Sequence, residues 1–289
     1  MLLVGLTANL ILVASIFMKW KSMKSLQTSD KILSCLAIFR GLYFLGSLLQ
    51  IIITQFSPWL WRSYIVILTI NILAMFIFYS SLWIATILCV FYCVKIVTYN
   101  YKLFTFLKTR ISTMVPWLIP ASLLISLIFS LTFGLVDYYF KLQKVSNGSS
   151  ENMTASRLAN SERFTHRFLI YTVGSIPPFM IFCVTNILLI HFLLTHTRRM
   201  RSNEFHIQSP NLQSHFNALK SMTLFLLLQI MLLICMSLSI SGRLLDLTLS
   251  FVVNSIILCS PPLLHSLYMV YSSNEVKKMF VLMCLGLFR

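Results

Sequence analysis

Arg40 is the only charged residue deep within an apolar stretch of this 289-residue chain, and no apolar stretch contains an Asp or Glu to pair with it. A guanidinium holds five donors in a rigid plane and stays charged. In a low-dielectric interior its chemistry is therefore hydrogen bonding and charge placement, not proton transfer. A charge inside a membrane segment is a functional site by default. Arg40 lies nine residues from Lys31, Asn9 ten from Lys19, and Ser266 eleven from Lys277. At ~1.5 Å per residue these are depths of ~13, ~15 and ~16 Å from one face. Three segments thus offer polar groups at one level. Arg40 is expected to divide its donors among Asn9, Ser266 and carbonyls freed near Pro262. The plainer alternative is a network that only holds the fold together.

Other reactive residue types occur without the spacing that chemistry requires. His191 and His265 have no second His, Cys or acid at ligand spacing, so packing or hydrogen bonding is expected of them and no metal site. The seven cysteines lie in apolar stretches or the tail, and none falls within 137–166, so no disulfide framework is indicated. There is no phosphate-cradling glycine loop, nucleophile elbow or carboxylate pair. No catalytic residue and no cofactor are expected.

The elements that position these residues follow from composition. With 58% apolar and 10% charged residues and a mean hydropathy of +0.84, the chain is not a soluble domain. The net charge of +16 sits in clusters between apolar runs, the pattern of anchoring to membrane lipid and not of nucleic-acid binding. The runs place spans at about 1–18, 32–53, 64–94, 111–136, 168–196, 221–241 and 247–271. That is an all-α, single-domain, seven-transmembrane helix bundle. The longest uncharged run, 63–94, would make a helix of about 48 Å, long enough to cross a ~30 Å core steeply tilted.

Residues 1–18 run into Lys19, Lys21 and Lys24 with no basic stretch before them, which reads as a first span and not a cleaved signal peptide. Most of the 23 Lys and Arg fall in 19–31, 95–110, 198–220 and 277–289, which puts the N-terminus outside and the C-terminus inside. Residues 137–167 are then a long outer loop. It carries two glycosylation acceptors, Asn147-Gly-Ser149 and Asn152-Met-Thr154.

Two clusters remain. Asn71, Ala74, Met75 and Phe78 fall at i, i+3, i+4 and i+7, one face of the outer half of the third helix. An apolar, aromatic-lined cavity there suits small, moderately hydrophobic ligands, and ordinary interhelical packing is the alternative for each residue. Tyr92, Lys95, His196, Arg198, Arg199, His215 and Lys220 gather at the inner ends of the third, fifth and sixth helices. Attraction to anionic lipid, ~1 kcal/mol per basic group, is the simple reading of that cluster.

The wording of the chain is more specific than its composition. Leu82-Trp83, Ala85-Thr86, Leu88, Phe91-Tyr92 and Lys95-Ile96 resemble the third-helix signature of the type 2 (bitter) taste receptors. Phe91-Tyr92-Cys93 stands where rhodopsin-like receptors carry Asp-Arg-Tyr. Gly5, Asn9, Trp20, Asp30 and Arg40 resemble that family's first two helices. Leu189-Ile190 and His196 through Met200 resemble its fifth-helix exit, and Pro210, His215 and Ala218-Leu219-Lys220 its approach to the sixth. Pro262, His265-Ser266, Asn274 and Lys277-Lys278 occupy its seventh-helix motif.

The resemblance implies a G protein-coupled chemoreceptor of the plasma membrane, working by a ligand-driven population shift. It adds Arg167, Ile170 and Tyr171 on the fifth helix, Gln229 and Leu232 on the sixth, and Asn254 and Ser255 on the seventh as ligand-binding residues facing the third-helix set. It also implies that a heterotrimeric, gustducin-like G protein docks on the inner cluster. Ala74 and Phe78 stand where many members carry Trp and Asn, so no ligand list transfers. Members usually have a longer stretch before Gly5, and the first helix, at about 27 Å, only just crosses. A type 1 vomeronasal-like receptor shares the architecture but not the third- and seventh-helix wording. A small transporter or channel would show internal repeats and several midplane charges, and this chain shows neither. The sequence leaves room for a homo- or hetero-oligomer.

Overall fold

A computed structural model describes residues 1–97, 102–146, 153–203, 210–240 and 251–272. They form α1 (Leu2–Met23), α2 (Thr28–Phe56), a 3₁₀ turn (Pro58–Arg62), α3 (Tyr64–Ile96), α4 (Lys102–Ser146), α5 (Met153–Asn203), α6 (Pro210–Ile240) and α7 (Phe251–Ser272). Six of these are long and apolar enough to cross a membrane, and Ile256–Tyr271 of α7 is a shorter apolar seventh. Among the described residues there is no strand. Helices satisfy every backbone polar group within the segment, which a hydrocarbon environment demands.

The longest uncharged run becomes the middle of the bundle. α3 packs on α2, α4 and α5, while α1 packs on α2 and α7, and α5, α6 and α7 close the ring. Most of α3 from Met75 to Val94 is buried. Leu2 and Leu6 meet Cys259 and Leu263, and Leu12 meets Met269 and Val270, so α1 and α7 run in the same direction. The core has two main parts. One, toward the Met1 end, joins Met75, Phe78, Tyr79, Phe133 and Tyr171. The other joins Ile32, Leu36, Ile84, Leu88, Phe91, Phe182 and Phe225. Outside the bundle, Leu10, Ile52, Trp117, Leu135 and Val173 stand at least half exposed. Such a belt would be an association hazard in water and is the natural surface toward lipid.

Local chemistry sets close approaches and kinks. A Cβ on Gly5 would lie 2.6 Å from the Phe44 ring, so glycine lets α1 and α2 come together there. Pro261 and Pro262 lie inside α7, and Ser260 Oγ donates to the Ile257 carbonyl (2.9 Å) that Pro261 leaves without an amide partner. In α5, which contains Pro177 and Pro178, the Pro178 carbonyl accepts the Thr86 hydroxyl of α3 at 3.0 Å.

Most of the helices extend beyond the apolar runs. α1 continues past Met18 to Met23 and ends on Lys24 in the left-handed region, whose amide donates to Trp20 O at 2.8 Å. Its 22 residues make about 33 Å, so it crosses with more to spare than the apolar run alone suggests. α4 has 45 residues and α5 has 51. Residues 137–146 and 153–167, expected as loop, are helical, and the link between the two helices is confined to 147–152. The physical reason is plain in the sequence: neither stretch contains a Gly or Pro, and polar residues in water do not by themselves end a helix. Asn147 and Asn152, with the seventh-helix Asn274 and Lys277-Lys278, lie outside the described residues.

Candidate ligand cavity and the polar layer beneath it

Ala74, Met75 and Phe78 share a face of α3, as the i, i+3, i+4, i+7 pattern requires. With Tyr43, Gly46 and Gln50 of α2 and Leu258 and Cys259 of α7 they border a cavity of about 330 Å³. Phe78 also borders a second, smaller cavity with Gln229 and Leu232 of α6. Asn71 borders neither. Tyr171 is buried, its ring 5.6 Å from Phe78 and its hydroxyl donating to Leu233 O at 3.2 Å. Ile170 packs on the same cluster, and its carbonyl accepts the Tyr79 hydroxyl at 3.4 Å. Thus α5 meets α3 here through packed rings, and the larger open space lies toward α2 and α7. Asn254 and Ser255 fall within the first part of α7, with side chains outside the described set.

Arg167 is engaged elsewhere. Asp137, 2% exposed at the far end of α4, receives Arg163 Nε at 3.0 Å and faces Arg167 Nε at 3.5 Å. The Arg167 guanidinium lies over the Phe133 ring at 4.7 Å. Lys141 sits over Tyr64, 3.6 Å from its centroid. Asp137 read as the first loop residue by hydropathy; only the helical continuation of α4 and α5 brings it to the two arginines.

The polar layer lies below Phe78, and its bonding differs from the expectation. Arg40, 6% exposed, hydrogen bonds through Nη1 to His265 Nδ1 and lies over the Phe225 ring at 5.8 Å. Asn9 and Ser266 bond each other instead. The Ser266 hydroxyl faces Asn9 Oδ1 at 3.2 Å and Pro262 O at 2.9 Å, and Asn9 Nδ2 donates to Gly5 O at 2.7 Å. The expected Arg40 contacts to Asn9 and Ser266 are therefore replaced by one to His265, with a separate Asn9–Ser266 bond at the same depth. The neighbouring position on α7, rotated about 100° from Ser266, is the one that faces α2. His265 in turn packs on Phe225, 4.2 Å between centroids, and Phe225 on Phe182 of α5 at 5.0 Å.

At the opposite end, Tyr92 packs partly buried on Cys93, Val97, Leu189 and Leu193. Lys95 is exposed with its ammonium 4.9 Å from the Phe91 centroid. Arg198 and Lys220 are exposed, and His196, Arg199 and His215 lie in helix with side chains outside the described set.

The model of the taste receptor protein (TAS2R) family matches residues 1–287. Taste receptor type 2 member 3 of Homo sapiens is 26% identical over 268 residues, covering 91% of this chain and 84% of that one. Member 5 of Pan troglodytes is 28% identical over 278 residues, covering 96% and 88%. Member 39 of Macaca mulatta is 29% identical over 281 residues, covering 96% and 81%. A family match along almost the whole length, on a seven-helix membrane bundle whose third helix carries the signature wording, leads to one conclusion: this chain belongs to the type 2 taste receptor family, the bitter-sensing G protein-coupled receptors.

Proposed function

We propose that the agonist site of this receptor is the 330 Å³ cavity between α2, α3 and α7, with Phe78 as the side chain through which occupancy is felt. The observation that carries this reading is the position of Phe78. It borders both cavities and packs against Tyr171 of α5, so one ring touches the ligand space, the polar layer and a third helix. The volume sits at the low end of the ~300–1,000 Å³ of small-molecule sites, which supports small, moderately hydrophobic agonists. Asn71, Arg167, Ile170 and Tyr171 would then act at the rim or through packing, and Gln229 and Leu232 at the floor.

In this reading the Met1 end faces outside and the tail inside, in the plasma membrane, with 15 of the 23 Lys and Arg on the inner segments. Agonist favours a conformer whose inner ends admit a heterotrimeric, gustducin-like G protein at Tyr92, Lys95, His196, Arg198, Arg199, His215 and Lys220. The same basic groups also hold anionic lipid. The chain acts by binding and conformational change, without a catalytic residue, and homo- or hetero-oligomers are compatible with the exposed apolar belt. The test is Phe78→Ala in a calcium-mobilisation assay. Agonist potency falls about tenfold or more while surface level stays near that of the unaltered receptor. Parallel loss of both would make Phe78 a packing residue and remove the assignment.

A further inference from the structure

The polar layer holds more donors than acceptors. Arg40 (6% exposed), Gln229 (5%) and His265 (4%) border one cavity together with Tyr43 and Ser81. Arg40 gives one N–H to His265 Nδ1, which leaves four of its five and puts the imidazole proton on Nε2. Neither the Gln229 amide nor the Ser81 hydroxyl has a hydrogen-bond partner among the described residues. The Tyr43 hydroxyl faces the Cys259 thiol at 3.8 Å, as acceptor of a weak bond. None of the chain's seven acids lies in an apolar run, and the described ion pairs use Asp30 and Asp137 at the bundle ends. Among the described residues, the charge of Arg40 is therefore buried without a counter-charge, a costly arrangement unless something supplies one. The Phe225 ring offers only a quadrupole.

The geometry points to a small monovalent anion, chloride in size and charge, held in this cavity as the counter-ion of Arg40. The free volume is about 30 Å³, room for roughly two waters at ~10–15 Å³ each, and so for one halide. Water alone would supply acceptors but no negative charge, and Arg40 repels a cation. The inference does not depend on where agonist binds.

The experiment measures thermal unfolding of the whole purified receptor in sodium chloride, sodium bromide or sodium gluconate at one ionic strength. Chloride and bromide raise Tm saturably, by about 3–6 °C at about ten times the apparent Kd, and gluconate, too large for the cavity, does not. Arg40→Leu abolishes the response. Should that receptor not fold, the Ser81→Ala/Gln229→Leu receptor keeps the charge and decides the matter: its halide midpoint moves up about tenfold, the loss of two hydrogen bonds to the ion. Equal stabilisation by gluconate would reduce the effect to bulk ionic strength. No halide response at all would mean that the layer holds water only. An unchanged midpoint in the double variant would place the halide elsewhere. Each of these three results overturns the proposal.

Discussion

Arg40 places five donors in one plane, and His265 Nδ1 takes one of them while Phe225 lies against the guanidinium. An unpartnered Arg at the bilayer centre costs ~2.5–3.5 kcal/mol on insertion scales, so the partner matters to stability as well as to signalling. Asn9 and Ser266 form a separate bond between α1 and α7. Two pairs sharing no partner give a sharp expectation for double-mutant cycles read by thermal unfolding. Arg40→Leu and His265→Phe couple by about 1–3 kcal/mol, and Asn9→Ala and Ser266→Ala are likewise less than additive. Arg40→Leu with Ser266→Ala adds to within ~0.5 kcal/mol. Additivity of Arg40 with His265, or coupling of Arg40 to Ser266, would put the guanidinium in a different network. The depth of these groups was legible in the sequence, since counting residues from a basic flank measures height along a helix. Height says nothing of azimuth, and consecutive residues on α7 share nearly one depth while pointing about 100° apart. His265 was hidden behind Ser266 for that reason.

At the scale of elements, hydropathy sees only the part of a helix that lipid covers. The apolar cores of α4 and α5 were legible as spans, but their helical extensions carry polar residues on every side and show no apolar period. What reveals them is the absence of Gly and Pro, a weak signal, together with Asp137 lying 26 residues before Arg163, which no spacing rule connects. Those extensions are tied by Asp137, which is nearly fully buried while Arg163 and Arg167 have side chains 37% and 20% exposed. Replacing Asp137 by Asn keeps the volume but leaves two arginines facing each other without the acid. Asp137→Asn lowers stability by about 1–2 kcal/mol, a drop in Tm of about 2–8 °C. Arg163→Gln alone costs less because that side chain is more exposed and more screened. Differential scanning fluorimetry at low and high salt checks both, and an unchanged Tm for Asp137→Asn would mean that the extensions are held by packing alone.

For the whole molecule, the bundle was legible because a bilayer leaves few choices: apolar runs of this length must be helices, and seven of them must pack together. The cavity was less so. The i, i+3, i+4, i+7 set lies on one face, but which neighbour that face meets depends on crossing angles that no single-helix pattern encodes. Orientation rests on the basic residues and on the two acceptors in 147–152, between α4 and α5. α4 continues ten residues past Val136, about 15 Å, and its last residue, Ser146, lies at the end of the bundle where Met1 also lies. With that end outside, Asn147 or Asn152 carries glycan when the receptor is made in a eukaryotic host. Asn147→Gln/Asn152→Gln then migrates on a gel with the glycosidase-treated receptor, and each single variant shows which site is used. An acceptor sequence introduced within 204–209, at the opposite end between α5 and α6, stays unmodified. Modification at 204–209 with none at 147–152 would invert the bundle and put the 330 Å³ cavity at the cytoplasmic end. Agonists would then have to enter the cell to act.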